Sequence, residues 1–165
     1  MYSTLTKVYW DTKLPIYKIP HKKLIDDGIN CLLIDVDGTL LSRNTEKIPF
    51  TVKKWIQKSK NIFDIYLISN NPSEKRISKI ANELDLDYKY RALKPRKKST
   101  LEVINNLDCD LRNIAIIGDR IFTDIIVGNR CKIKTILVKR LNKKGVPLKF
   151  NITILLEKIF SIFLF

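Results

Sequence analysis

Cys31-Leu32-Leu33-Ile34-Asp35-Val36-Asp37-Gly38-Thr39-Leu40 places two carboxylates two residues apart immediately after an apolar run. The run Cys31 to Ile34 reads as a central, buried strand, and Gly38 allows the chain to turn sharply away from its end. Alternate side chains of a strand share a face, and a turn after Asp35 lets both carboxylates converge on one cation. A hard, oxygen-seeking ion such as Mg2+ suits such a pair. Four fixed residues at an average usage of about 5% each recur on the order of once per thousand chains this long, so the pattern is specific. The competing metal reading is a calcium loop, because Asp35, Asp37 and Glu46 fall at its first, third and twelfth positions. That reading fails at the sixth position, where Leu40 replaces the glycine of the sharp turn, and a strand rather than a helix precedes it.

Working outward, strand-like runs occur at Phe63 to Ile68, Tyr88 to Ala92, Ile114 to Ile117 and Lys134 to Val138. Apolar residues recur at helical spacing over Pro49 to Lys60, Ser73 to Leu84 and Lys97 to Leu107, with a shorter helix over Thr123 to Arg130. Ahead of them lies an irregular lead-in punctuated by Pro15 and Pro20. Alternating strand and helix predict an α/β fold, a single doubly wound parallel-sheet domain with its core over 31–138 and its site at the carboxyl ends of the strands. Asn151 to Phe165 has the pattern of an amphipathic helix, with apolar residues at Ile152, Leu155, Leu156, Ile159 and Phe163. It is too short to span a bilayer, which needs about 20 apolar residues. With Lys139, Arg140, Lys143, Lys144 and Lys149 before it, two placements are open: on the domain's own core, or on an anionic membrane surface.

At 165 residues and 45% hydrophobic content, the chain suffices for one domain with a full core and is not disordered. Its formal net charge of +14, from 31 basic and 17 acidic residues, favours anionic partners: phosphate esters, nucleic acid or acidic lipid. Abundant Lys, Ile and Asn offer a bland alternative, the composition an AT-rich genome produces. The three cysteines, Cys31, Cys109 and Cys131, lack metal-ligand spacing and read as reduced packing residues of a cytoplasmic protein. A single histidine, His21, excludes a histidine-cluster metal site and falls by default to a surface or packing role. Met1 to Leu14 carries no apolar core of a secretory signal, which places the protein inside the cell.

Polar residues follow three further strands: Ser69 and Asn70, then Lys94, then Asp119 and Asp124. Each alone has an ordinary explanation as a helix cap, a solvated lysine or a first-turn acid. In a parallel sheet all of them gather at one edge with Asp35 and Asp37.

In this order the residues resemble the four motifs of the haloacid dehalogenase (HAD) superfamily: Asp35-Val36-Asp37-Gly38-Thr39, Ser69, Lys94, and Gly118-Asp119 with Thr123-Asp124. The runs Ile68-Ser69-Asn70-Asn71, Lys94-Pro95 and Gly128-Asn129-Arg130 resemble the YqeG-like branch of subfamily IIIA, which includes phosphatidylglycerophosphate phosphatases of the mitochondrial type. Gly38 departs from the Asn usual in that branch. The resemblance implies a phosphatase in which Asp35 is the nucleophile and an aspartyl-phosphate forms. Asp37 is then the general acid and base, Ser69, Asn70 and Lys94 bind the phosphoryl group, and Lys94 also neutralises charge. Asp35, Asp119 and the main-chain carbonyl of Asp37 would hold Mg2+, with Asp124 orienting water on it.

Neither the segment after the first strand nor that after the third has room for the cap domain that usually sets specificity in this superfamily. An open site suits a phosphate on something large, and the branch, the basic charge and the terminal helix favour a phospholipid over a nucleic acid end, a protein or a small phosphometabolite. A non-enzymatic scaffold on the same fold is the remaining alternative; the intact carboxylates argue against it.

Overall fold

In the computed structural model the described residues are 4–148. The helix expected over Asn151 to Phe165 lies outside them. Six parallel strands form one sheet: β1 (Trp10–Asp11), β2 (Cys31–Ile34), β3 (Asp64–Ile68), β4 (Asp87–Lys89), β5 (Ile114–Gly118) and β6 (Lys134–Leu137), in the order β1-β6-β5-β2-β3-β4. The helices are α1 (His21–Asp26), α2 (Phe50–Ser59), α3 (Glu74–Leu84), α4 (Lys98–Asn105) and α5 (Ile126–Arg130).

All four residues of β2 are buried, as a strand covered on both faces requires. Its alternation sorts the two halves of the core. Leu32 and Ile34 join Leu67, Ala115 and Ile117 on the face covered by Leu24 of α1, Val52, Trp55 and Ile56 of α2, and Ile77, Ile80 and Ala81 of α3. Cys31 and Leu33 point the other way, to Ile68, Ile114 and Ile116 beneath Val103 and Ile104 of α4 and Val127 of α5. The direction in which strands are added to the sheet reverses beside β2, which pairs in parallel with β3 on one side and β5 on the other. That switch point opens the crevice at the carboxyl ends where open α/β sheets bind ligands.

Three expectations are corrected. The lead-in is structured rather than irregular: β1 adds to the sheet edge with Trp10 opposite Ile136, a 3-10 turn spans Ile16–Lys18, and α1 follows Pro20. A two-residue strand and a six-residue helix are too short to display a period, so the pattern was silent there. The strand expected at Tyr88 to Ala92 is the shorter β4, and the chain beyond it turns through left-handed residues Arg91 (φ 47°) and Leu93 (φ 57°). The expected helix at Thr123 begins instead as a π-helical turn, Ile121–Ile125, before α5. Segments 39–49 and 90–97 carry no inserted domain, in keeping with an uncapped fold.

His21 packs as expected, stacked on Trp55 with ring centroids 5.2 Å apart and with Nε2 2.8 Å from Ser59 Oγ. Cys31, Cys109 and Cys131 are all free thiols, the first and last buried. Among the described residues no helix is long and apolar enough to cross a membrane.

Candidate active site

β2 ends directly at Asp35, whose N–H still donates to Ile117 of β5, so the sheet fixes the main chain that carries this carboxylate. Both of its oxygens are engaged: Oδ1 accepts from Lys94 Nζ at 2.7 Å and Oδ2 from the buried Thr39 hydroxyl at 3.1 Å. Gly38, at φ 104°, makes the return of the chain possible, because a Cβ there would stand 2.5 Å from Asp119 Oδ2. The turn therefore needs glycine both for its backbone and for the approach of Asp119.

Lys94 comes from the loop after β4. Its ammonium is buried and gives its three donors to three acceptors: Asp35 Oδ1, the Ile68 carbonyl at 2.9 Å and Asp124 Oδ1 at 2.6 Å. Burial opposes that charge, but Asp124 and Asp35 outweigh it and raise the Lys94 pKa. Asn70 holds the loop in place. Its side-chain oxygen accepts from the Lys94 N–H at 2.7 Å and its amide donates to the Lys94 carbonyl at 2.8 Å. The Asn70 side chain is thus committed to Lys94, which leaves the main chain to serve as the phosphate contact expected at Asn70.

β5 delivers Asp119, and the π-helical turn behind it delivers Asp124. Gly118 is required here: a Cβ would lie 2.3 Å from Asp124 Cγ. Carboxylate oxygens of Asp35, Asp119 and Asp124 all lie within 4.8 Å of one another, a grouping able to hold a metal ion. Burial pushes Asp35 up to about 6 against the pull of Lys94, and burial followed by the charges of Asp35 and Asp124 holds Asp119 well above the usual carboxylate range. Neither Asp119 oxygen has a hydrogen-bond partner, although Arg140 Nε stands 3.2 Å from Oδ2. Two orphaned, buried carboxylate oxygens facing two further carboxylates are what a bound cation would satisfy.

The Asp37 carboxylate stands outside this trio, and its main-chain carbonyl, the group expected at the metal, is what it can offer a cation. Its oxygens accept from Arg76 Nη2 at 2.9 Å and from Asn71 Nδ2 at 2.7 Å. Arg76 also donates to the Thr45 carbonyl at 2.7 Å, tying the first turn of α3 to the segment after β2. Neither Arg76 nor the Asn71 side chain was singled out from the sequence, because an arginine three residues past a cap at Ser73 looks like any solvated helix residue. Ser69, 1% exposed, accepts from the Asn71 N–H at 3.1 Å and lines the cavity with Asp35, Asp37 and Lys94.

That cavity encloses about 110 Å³ and is also lined by Arg43, Arg120 and Arg140. Drug-sized ligands need roughly 300 Å³ or more, so only a small part of a larger substrate would enter. Asn129 and Arg130 serve elsewhere. Asn129 donates to the carbonyls of Leu5 and Lys7, and Arg130 donates to that of Pro95, behind the lysine loop.

A family model described as HAD-hydrolase-like matches residues 92–149, which take in Lys94, Asp119 and Asp124. That match, together with the fold and the carboxylate arrangement already described, makes the chain similar to HAD-type hydrolases. Among its relatives, "Probable phosphatase YqeG" of Bacillus subtilis is 27% identical over 138 residues, 82% of this chain and 80% of that protein. "Phosphatidylglycerophosphate phosphatase 1, chloroplastic/mitochondrial" of Arabidopsis thaliana is 29% identical over 130 residues, 73% of this chain but 37% of the plant protein. The fold is shared with an uncharacterized protein of Listeria monocytogenes (TM-score 0.57, 18% identity, 74% of this chain and 84% of that one). It is shared also with the HAD-hydrolase YfnB of Bacillus subtilis in a magnesium-bound form (TM-score 0.55, 15% identity, 81% and 98%).

Proposed function

We propose that this chain is a single-domain, Mg2+-dependent phosphomonoesterase that works through an aspartyl-phosphate and dephosphorylates phosphatidylglycerophosphate. The observation that carries the chemistry is the set of three buried carboxylates around one fully paired lysine, with both Asp119 oxygens lacking a partner. Mg2+ would be held by Asp35, Asp119 and the Asp37 main-chain carbonyl, with Asp124 beside them, and would supply positive charge to the phosphoryl oxygens.

The protein's own groups would do the rest. A carboxylate oxygen of Asp35 forms a bond to phosphorus as the bond to the leaving oxygen breaks, and the Lys94 ammonium offsets the repulsion between the two anions. Asp37 gives a proton to the leaving oxygen, then takes one from the water that attacks phosphorus and frees Asp35. Asp37 rests against Arg76 and Asn71, so substrate binding must release one of these bonds for the proton to reach the leaving oxygen. Ser69 and the main chain of Asn70 would bind the phosphoryl oxygens.

The substrate reading is supported by the uncapped site, its small cavity, the excess of basic charge and the plant relative. A basic groove bearing Lys7, Arg112, Lys132 and Lys134 with Tyr9 offers a surface for nucleic acid, but it lies by the amino ends of β5 and β6, the edge opposite the site. Mg2+-dependent phosphate release should be compared among an aryl phosphate, phosphatidylglycerophosphate in mixed micelles and a 3'-phosphorylated oligonucleotide. The lipid is expected to give the highest kcat/KM; a preference for the oligonucleotide, or no release from the lipid, overturns the substrate reading.

Metal binding has its own expected signature. Folding raises the Asp35 pKa from 3.8 to about 6, and Asp119 shifts the same way, so the folded metal-free protein holds the extra protons. The stability these groups contribute is full below the unfolded value and is lost as pH rises through the folded one. Mg2+ replaces those protons. It should therefore raise Tm more at about pH 7.5 than at about pH 5, by roughly 5–10 °C at an excess of about a hundredfold over Kd. Ca2+, which takes more ligands at longer distances, should bind yet inhibit. A Tm indifferent to Mg2+ at both pH values would remove the metal from Asp35 and Asp119.

A further inference from the structure

We infer that the hairpin Arg140–Leu148 and the start of α2 form a docking edge for an anionic lipid bilayer, with Phe50 and Val146 entering the bilayer beside the mouth of the site. Phe50 opens α2 with 77% of its surface exposed, while the helix buries Val52, Trp55, Ile56 and Ser59 instead. Nothing in the packing of α2 requires an aromatic residue there, and an exposed phenyl ring sacrifices hydrophobic stabilisation that any buried position would gain.

Val146, 51% exposed, directly follows the turn of the hairpin. The hairpin closes through Asn142 N–H to the Val146 carbonyl at 2.9 Å and Leu148 N–H to the Arg140 carbonyl at 2.8 Å. Its Gly145 sits so close to Pro49 that a Cβ would stand 2.5 Å from Pro49 Cγ. That contact brings the segment carrying Val146 against the one carrying Phe50. At its base the Leu141 N–H donates to the Gly38 carbonyl at 2.8 Å, which joins the hairpin to the turn carrying Asp35 and Asp37.

Charge selects the occupant. Residues 139–148 include Lys139, Arg140, Lys143 and Lys144 and no acidic residue. In the segment after β2, Arg43 lines the cavity, Arg43 and Lys47 are exposed, and Glu46 between them is engaged by Lys79 at 2.6 Å. Two exposed apolar side chains inside a basic rim match a bilayer whose anionic headgroups lie above its acyl chains. A protein partner would call for a continuous patch of about 800 Å² on this side, which two side chains do not make. Docked in this way, the mouth would open at headgroup level, where a lipid phosphate lies. The choice of substrate rests on the function proposed above; the docking edge can be measured without it.

The test uses the full chain and vesicles of phosphatidylglycerol mixed with phosphatidylcholine. Phe50→Trp should show a blue-shifted emission with anionic vesicles and quenching by brominated acyl chains beyond that of the parent protein, whose two tryptophans are Trp10 and Trp55. Phe50→Ser with Val146→Ser should weaken partitioning by about tenfold or more while hydrolysis of a soluble aryl phosphate stays within about twofold. Lys143→Gln with Lys144→Gln should weaken it by about fivefold per charge and flatten its salt dependence. Vesicle binding that leaves the Phe50→Trp emission unchanged, or partitioning of the double serine variant equal to the parent's, overturns the inference. So does an emission shift produced by single-stranded DNA and not by vesicles. Docking as described without hydrolysis of phosphatidylglycerophosphate upholds the edge and overturns the substrate reading alone.

Discussion

Asp35→Asn is expected to reduce phosphate release by four or more orders of magnitude, the scale on which deleting a nucleophile acts, and to leave the fold intact. The amide keeps the shape of the carboxylate. Its oxygen can still accept from Lys94, and the substitution removes one of three carboxylates crowded within 4.8 Å of one another. The metal-free variant should therefore melt at or above the temperature of the parent. The check is a pair of measurements on the same purified sample, the melting curve and turnover of an aryl phosphate. Appreciable turnover by a folded Asp35→Asn protein would remove Asp35 from the nucleophile's role.

Lys94→Met should abolish activity and, unlike the change at Asp35, damage the fold. The ammonium satisfies Asp35, Asp124 and the Ile68 carbonyl at once, from a side chain that is 1% exposed. Methionine fills similar space and supplies no donor. Breaking a buried ion pair by removing one partner costs about 3–5 kcal/mol, and here two carboxylates lose their counter-charge together. Part of that loss should be recovered by protonation, so the variant should be closest to the parent in stability near about pH 5 and furthest from it near about pH 8. Denaturant unfolding at the two pH values checks this. Equal stability of variant and parent throughout would mean that the lysine is not the electrostatic centre of the site.

The parallel sheet was legible because its central strands are short apolar runs with polar residues at their ends, and β2 and β5 fall within a residue of where the pattern placed them. β1 was not, since Trp10 and Asp11 are recruited by the free edge of β6 and have no local signal of their own. The positions of Ser69, Lys94, Asp119 and Asp124 were readable as residues after strands, whereas their partners were not. The Asn70 clasp on Lys94 spans 24 residues and the Arg76 contact with Asp37 spans 39, so each depends on how the loops fold over the sheet edge. Asn70 is instructive: its position beside Ser69 suggested a phosphate ligand, and only the three-dimensional course of segment 90–95 gives its side chain another task. The π-helical turn at Ile121–Ile125 escaped notice for a related reason, because its apolar spacing is indistinguishable from that of an α-helix start.

The central claim, that Asp35 carries the phosphoryl group, is tested most directly by quenching the working enzyme in acid and mapping the phosphorylated peptide after borohydride reduction. Reduction converts an aspartyl-phosphate to homoserine and so marks the residue that held it. The expected result is homoserine at position 35 in samples quenched with substrate and Mg2+, and unmodified Asp35 in samples quenched with chelator present. A mark on any other residue while the enzyme is turning over would contradict the account.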